Sequence, residues 1–246
     1  MAQERHLPNA PIREALVDIA VKLPDDVDVE VLQGLADQIS ADYPQVNKFM
    51  EAEFQFRSKD LSTTPVAHRP VGVRCSNTVG NRIVQFRLNG FTYNWLRPYS
   101  NWPELRAVSE THWRMYSDRV RPLVITRLAL RYINDITLPL PFGDFAEYLT
   151  ADPKIPSELP QTLSHFLTRV GLSDQAAGMG AVVTQVYEGV VNETHVTIIM
   201  DIDASQQVNL EFDRREEIWP ILDKLRQFKN KIFFASLTEK AVRLFE

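Results

Sequence analysis

The run from 71 to 95 constrains the fold more than any other part of the chain. Val71 and Val73 alternate with Gly72 and Arg74, and a turn is expected over 77–81. Val84, Phe86 and Leu88 then point one way and Gln85 and Arg87 the other, and Phe91, Tyr93 and Trp95 resume the alternation. A period of two marks a half-buried strand. Asn89-Gly90 stands between the last two runs, and both residues tolerate positive φ, so a tight hairpin is expected there. Strands joined by such short turns run antiparallel. The centre of the chain therefore reads as an antiparallel meander.

Further strands are expected over 11–23, 48–57, 123–138, 162–170, 181–191 and 195–203, with a turn at Asn192-Glu193. The strand over 48–57 alternates imperfectly, which points to a bulge. Helical spacing of Leu32, Leu35, Ile39 and Tyr43 predicts a helix over 29–43, stopped by Pro44. A second helix opens near Pro103, which the first turn tolerates, and carries Leu105, Val108, His112, Met115 and Tyr116 as its stripe. A short helix is expected over 144–149. A long one over 216–232 has Ile218, Ile221, Leu222, Leu225, Phe228 and Ile232 on one face. Ser236-Leu237-Thr238-Glu239 matches a capping box and opens a last short helix.

In this order the elements fall into two β-α-β(3–4)-α units, 1–121 and 122–246, within one compact α+β domain. Val17-Asp18-Ile19 ahead of Leu23-Pro24 is echoed by Ile133-Asn134-Asp135-Ile136 ahead of Leu138-Pro139. The order resembles the TATA-binding-like and helix-grip folds, in which two units share a curved antiparallel sheet with helices on one face. The uncovered face is then the expected recognition surface.

The 44% hydrophobic content suffices to bury a core, which excludes disorder. Cys75 is the only cysteine, so neither an intrachain disulfide nor a cysteine zinc cluster can form. No apolar run approaches the roughly 20 residues of a bilayer span, and the first residues lack an apolar signal core. A cytoplasmic protein without membrane association is expected.

Charge is distributed in blocks. Residues 1–56 carry −7, residues 57–131 carry +9 and residues 132–246 carry −7. The central excess is almost wholly arginine. Its guanidinium forks suit phosphate and carboxylate, yet the acidic flanks match it, and internal pairing is the favoured reading. The competing reading is a nucleic-acid surface in which Arg74, Arg87 and Arg97 clamp phosphates while Tyr93 and Trp95 stack on bases. Trp95 and Trp102 beside Pro98 also suit a corner that fixes the hairpin to the next helix.

Asp201 and Asp203 share a strand face, and Glu211 and Asp213 repeat the spacing. Such pairs can hold magnesium or calcium or divide acid and base roles, so these four are the candidate metal ligands. No phosphate loop, dinucleotide fingerprint, nucleophile elbow or zinc-protease motif occurs, no catalytic residue is assigned, and no cofactor is implied.

Three segments carry a resemblance: Asn9-Ala10-Pro11-Ile12-Arg13-Glu14-Ala15, Gly90-Phe91-Thr92-Tyr93-Asn94-Trp95-Leu96-Arg97-Pro98-Tyr99 followed by Trp102, and Leu130-Arg131-Tyr132-Ile133-Asn134. In this order they resemble a sporadically distributed, functionally uncharacterised bacterial family of about this length. Patchy distribution implies mobile modules such as toxin–antitoxin or antiviral defence systems. The leading expectation is thus a non-enzymatic protein-interaction module of such a system. Nucleic-acid binding and a metal-dependent enzyme are the alternatives, and self-association is compatible with all three.

Overall fold

The structure is a computed structural model that describes residues 2–56, 63–190 and 194–246. The expected turn at Asn192-Glu193 lies outside the described residues, as does Arg57. Strand β1 (Ile12–Lys22) alternates cleanly, with Ala15, Val17, Ile19 and Val21 buried. Helix α1 (Val29–Gln38) follows, capped by the Asp28 carboxylate, which accepts from the Val31 amide at 3.1 Å. The helix was expected to reach Tyr43 but stops at Gln38. The Ser40 hydroxyl donates to the Asp37 carbonyl (2.7 Å), a local bond that competes with helix continuation.

The meander is β2 (Gln45–Phe56), β3 (Thr63–Ser76), β4 (Arg82–Arg87) and β5 (Gly90–Leu96). The pairing of β2 with β3 shifts register at Phe49/Met50 and Glu53/Phe54, which is the irregularity the imperfect alternation announced. The hairpin turn differs from the expected one. Leu88 and Asn89 make the turn, while Gly90 is already in β5, opposite Ala20 of β1. A Cβ on Gly90 would run into the Ile19 carbonyl oxygen and stand 3.1 Å from Ala20 Cα. Glycine is required there by the close approach of β1 and by its φ of +157°.

Helix α2 (Trp102–Val120) is capped by Asn101, whose side chain accepts from the Glu104 amide at 2.9 Å, with Pro103 in the first turn. Beyond it come β6 (Val124–Pro139), a short 3₁₀ turn at Phe145–Glu147, β7 (Phe166–Asp174), β8 (Met179–Val190) and β9 (His195–Glu211). A 3₁₀ turn at Phe212–Glu217 leads into α3 (Ile218–Ser236). The last helix, α4 (Glu239–Val242), is capped by Thr238 and not by Ser236, because α3 runs on through Ser236.

The fold is α+β with one large sheet. Among the described residues nine strands are ordered β2-β3-β4-β5-β1-β6-β9-β8-β7, every neighbouring pair antiparallel. Register decides which side chains share a face. Phe91, Tyr93 and Trp95 lie opposite Ile19, Val17 and Ala15, which lie opposite Leu128, Leu130 and Tyr132, and Tyr132 lies opposite Ile202. Helices α2 and α3 pack on this face. Phe86 stacks on Tyr116 (6.1 Å), Phe91 meets Trp113 (6.0 Å), Tyr93 stacks on His112 (5.6 Å), and Lys229 of α3 lies over Tyr132. Tyr43, just after α1, reaches the same layer and shares a 3.3 Å hydroxyl contact with Tyr93. His112 is a core residue, its Nδ1 against the Val108 carbonyl at 2.8 Å. Among the described residues no helix is long and apolar enough to cross a membrane.

Candidate functional site

The face of the sheet opposite α2 and α3 carries a network of ion pairs. Arg87 donates to Asp18 (2.5 Å), which also accepts from Thr92 (2.7 Å) and meets Arg127 (3.4 Å). Arg127 reaches on to Asp203 (3.1 Å), and Arg131 grips Asp201 with two bonds of 2.8 and 2.6 Å. Asn94 donates to Glu14 (2.6 Å). Elsewhere Arg97 and Arg13 share Asp135, Arg106 pairs with Asp223, and Arg114 meets Glu110 and Glu216. Among the described residues Arg87, Arg97, Arg106, Arg114, Arg127 and Arg131 of the central block each pair with an acid from a flanking block. A guanidinium already forked onto a carboxylate has fewer donors for an external phosphate.

The residues expected to clamp and stack are not brought together. Arg74 sits half-buried on β3 with its register partner Gln85, Arg87 is held by Asp18, and Arg97 lies past the end of β5. Tyr93 and Trp95 face the helices, 1% and 3% exposed, so neither ring is presented to a base. Arg82 covers Trp95, its guanidinium carbon 3.2 Å from the ring centre. Asp201 and Asp203 do share a face, but each is occupied by an arginine. Glu211 is ten residues further along β9, roughly 30 Å away, and Asp213 is in the turn beyond. Among the described residues no three His, Cys, Asp or Glu side chains form a group that could hold a metal ion.

A different place is built as a site. A cavity of about 840 Å³ opens between the segment 4–12, the loop 97–103, β6 and the middle of α3. The loop is fixed from below, as Trp95 Nε1–H donates to the Pro98 carbonyl (2.8 Å), the corner expected of these residues. Trp102 Nε1–H and Arg106 tie α2 to Asp223 of α3 at 2.8 and 2.9 Å. Tyr99 lies edge-on to both Trp95 and Tyr132, and its hydroxyl meets that of Tyr132 at 2.9 Å. Burial pushes Tyr99 up to about 12 and Tyr132 well above the ordinary phenol value, so both remain neutral donors. The outer wall is the N-terminal segment, stitched to the C-terminus through Ala2 N–H to Leu237 O (2.9 Å), Asn9 N–H to Phe245 O (3.1 Å) and Arg5 to Glu239 and Glu246.

Two cations of α3 give the cavity its chemistry. Lys229 is 8% exposed, with its ammonium 3.9 Å over the Tyr132 ring centre. Arg226, one turn earlier and half-buried, also lines the cavity. Neither makes a hydrogen bond or ion pair with an acid among the described residues. Burial, and then the Arg226 charge, pull Lys229 down to about 7, with Glu4 acting weakly the other way. Glu4 itself accepts from Asn230 (2.9 Å). Asp135, also in the lining, is matched by Arg97 at 2.6 Å and Arg13 at 3.4 Å. The second contact is an ion pair without hydrogen-bond geometry, since Asp135 Oδ1 has no hydrogen-bond partner.

Lys229 and Arg226 were not among the residues singled out from the sequence. A signal was present: Lys229 falls four residues after Leu225 and seven after Leu222, on the apolar stripe of its helix. A lone lysine on such a stripe is either snorkelling or lining a cavity. No family model, curated protein or solved structure matches the chain.

Proposed function

We propose that the chain is a non-enzymatic recognition module whose ligand is a small organic anion with an apolar or aromatic body, seated in the cavity beneath the N-terminal segment. The observation that carries this reading is the pair of cations, Lys229 and Arg226, left without acidic partners in a cavity lined by Tyr99, Trp102, Tyr132 and Phe233. Its volume lies in the usual range of ligand sites, and its aromatic walls stand beside a polar lining in which cations outnumber acids. The three segments that carry the bacterial family resemblance meet there through Asn9, Pro11, Arg97, Tyr99, Tyr132 and Asn134. The test is calorimetric titration with benzoate and phenyl phosphate. Saturable binding is expected, at least about tenfold weaker in Arg226→Gln, the effect of losing one charge-assisted hydrogen bond. Absence of binding by both probes, or binding indifferent to Arg226→Gln, refutes the reading.

The protein-partner reading, with its defence or toxin–antitoxin setting, has one supporting observation of its own. Edge strand β7 leaves Leu167, Val170 and Leu172 exposed at 68%, 52% and 40%. An unpaired apolar edge is where a further strand would add. The nucleic-acid and metal-enzyme alternatives have less to stand on, because Arg87, Arg97, Asp201 and Asp203 are spent on one another's kind.

We also read the sheet as two units, 1–121 and 122–246, meeting at β1 and β6. Support comes from the strand order, which runs β5, β4, β3 outward on one side of that seam and β9, β8, β7 on the other. In each unit a long helix, α2 or α3, follows the last strand. The TATA-binding-like or helix-grip-like arrangement is the corresponding proposal for the fold.

A further inference from the structure

We infer that Lys229 is a covalent attachment point, and that the ligand class it takes is a 2-oxo acid, whose carbonyl carbon is captured by the lysine nitrogen while its carboxylate is held by Arg226. This deepens the anion-site reading and rests on it. Lys229 and Arg226 are three residues apart on α3, which sets their Cβ atoms about 5–6 Å apart on one face. A 2-oxo acid carries its carboxylate on the carbon next to the carbonyl, so one small molecule can meet both side chains. A lysine becomes a nucleophile when burial and a neighbouring cation deprive it of its proton, and both conditions hold here. No carboxylate pairs with Lys229 among the described residues; Glu4, bonded to Asn230, acts on it only through space and less than burial and Arg226 do. The aliphatic stem of Lys229 is packed among α3 and the sheet, which limits the positions of its nitrogen.

The chemistry balances without a co-reactant. The nitrogen lone pair attacks the carbonyl carbon, the carbonyl π pair moves onto oxygen, and protons pass from nitrogen to that oxygen through solvent, giving a carbinolamine whose oxygen is set to leave as water. The C–O bond then breaks, water leaves, and the C=N bond forms. Nothing is oxidised or reduced. The Tyr99 and Tyr132 hydroxyls, protonated at neutral pH, share one hydrogen bond, which leaves one O–H of the pair to donate in the same lining.

The experiment is reductive trapping of the full chain with pyruvate and sodium cyanoborohydride near pH 7.5, read by intact mass and peptide mapping. Acetone serves as the carbonyl without a carboxylate, and benzoate calorimetry runs beside it. The expected result is a single reduced adduct on Lys229, with exposed Lys224 and Lys231 of the same helix largely unmodified. Arg226→Gln is expected to slow trapping of pyruvate roughly tenfold more than that of acetone, since acetone loses only the effect of the Arg226 charge on the lysine whereas pyruvate also loses the grip on its carboxylate. Lys229→Met should abolish the adduct, and mapping on the wild-type chain locates it independently of any variant. Benzoate binding without a Lys229 adduct, or adducts spread evenly over surface lysines, overturns covalent capture while leaving the anion site intact. Failure of both trapping and benzoate binding overturns the two together.

Discussion

Replacing Lys229 by methionine is expected to stabilise the fold, and to do so more at acid than at alkaline pH. Methionine keeps the length and apolar character of the stem and removes the ionisable head. In the unfolded chain the lysine binds its proton up to its ordinary value of 10.5, whereas in the folded chain it does so only below about 7. Between these values the unfolded state binds more protons, so stability rises with pH through that window, and below pH 7 the full burial cost is present. Holding the group from 10.5 down to about 7 corresponds to roughly 5 kcal/mol. The variant should therefore gain up to roughly 5 kcal/mol at pH 6. Above pH 7 the gain should shrink by about 1.4 kcal/mol per pH unit and vanish near pH 10.5. Arg226, Glu4, Tyr99 and Tyr132 surround the lysine, and all four are common to both proteins, so the difference isolates Lys229. Urea unfolding of the two proteins at pH 6, 7.5 and 9, followed by tryptophan fluorescence, measures it. A difference that is flat across pH, or a variant less stable than wild type at pH 6, refutes the placement of an unpaired ammonium in the interior.

Gly90→Ala should destabilise the chain by about 3 kcal/mol in thermal or urea unfolding, because the tightest clash of the added methyl is with backbone of β1, which cannot swing away as the nearby Arg87 side chain can. Asn89→Ala, in the turn itself, should cost less, and equal costs would contradict the register of β5 on β1. Cys75 is fully buried and its thiol is pushed up to about 11 by burial, so iodoacetamide at pH 8 should label it only as fast as the protein opens. Rapid labelling of the folded chain would show that β3 is not covered as described.

The elements that sequence patterns announced are those in which local periodicity and burial agree. β1, β4, β5 and the stripe of α3 are examples. The misses have local or long-range causes. α1 ends early because the Ser40 hydroxyl takes the Asp37 carbonyl, a bond invisible to hydrophobic spacing. β9 runs on to Glu211 through Ser205-Gln206-Gln207, where alternation fades, because β8 supplies ladder partners as far as Gln206 and β6 as far as Glu211. Block charges pointed correctly to internal pairing. The particular partners, such as Arg131 with Asp201 seventy positions away, follow from strand register and cannot be read one strand at a time. The cavity was the least legible part. Its walls come from the first dozen residues, a loop, a strand and a helix, and only their docking converts an odd lysine on a greasy stripe into a site.

The stitching of the first residues to the last has a consequence for how the molecule can be handled or controlled. Ala2, Arg5 and Asn9 act as a hasp across Leu237, Glu239, Phe245 and Glu246, and Arg5, Asn9 and Phe245 of the hasp also wall the cavity. Whatever parts these two segments also opens one wall of the cavity, and a ligand of the kind proposed for it would, by the same linkage, hold the two segments together.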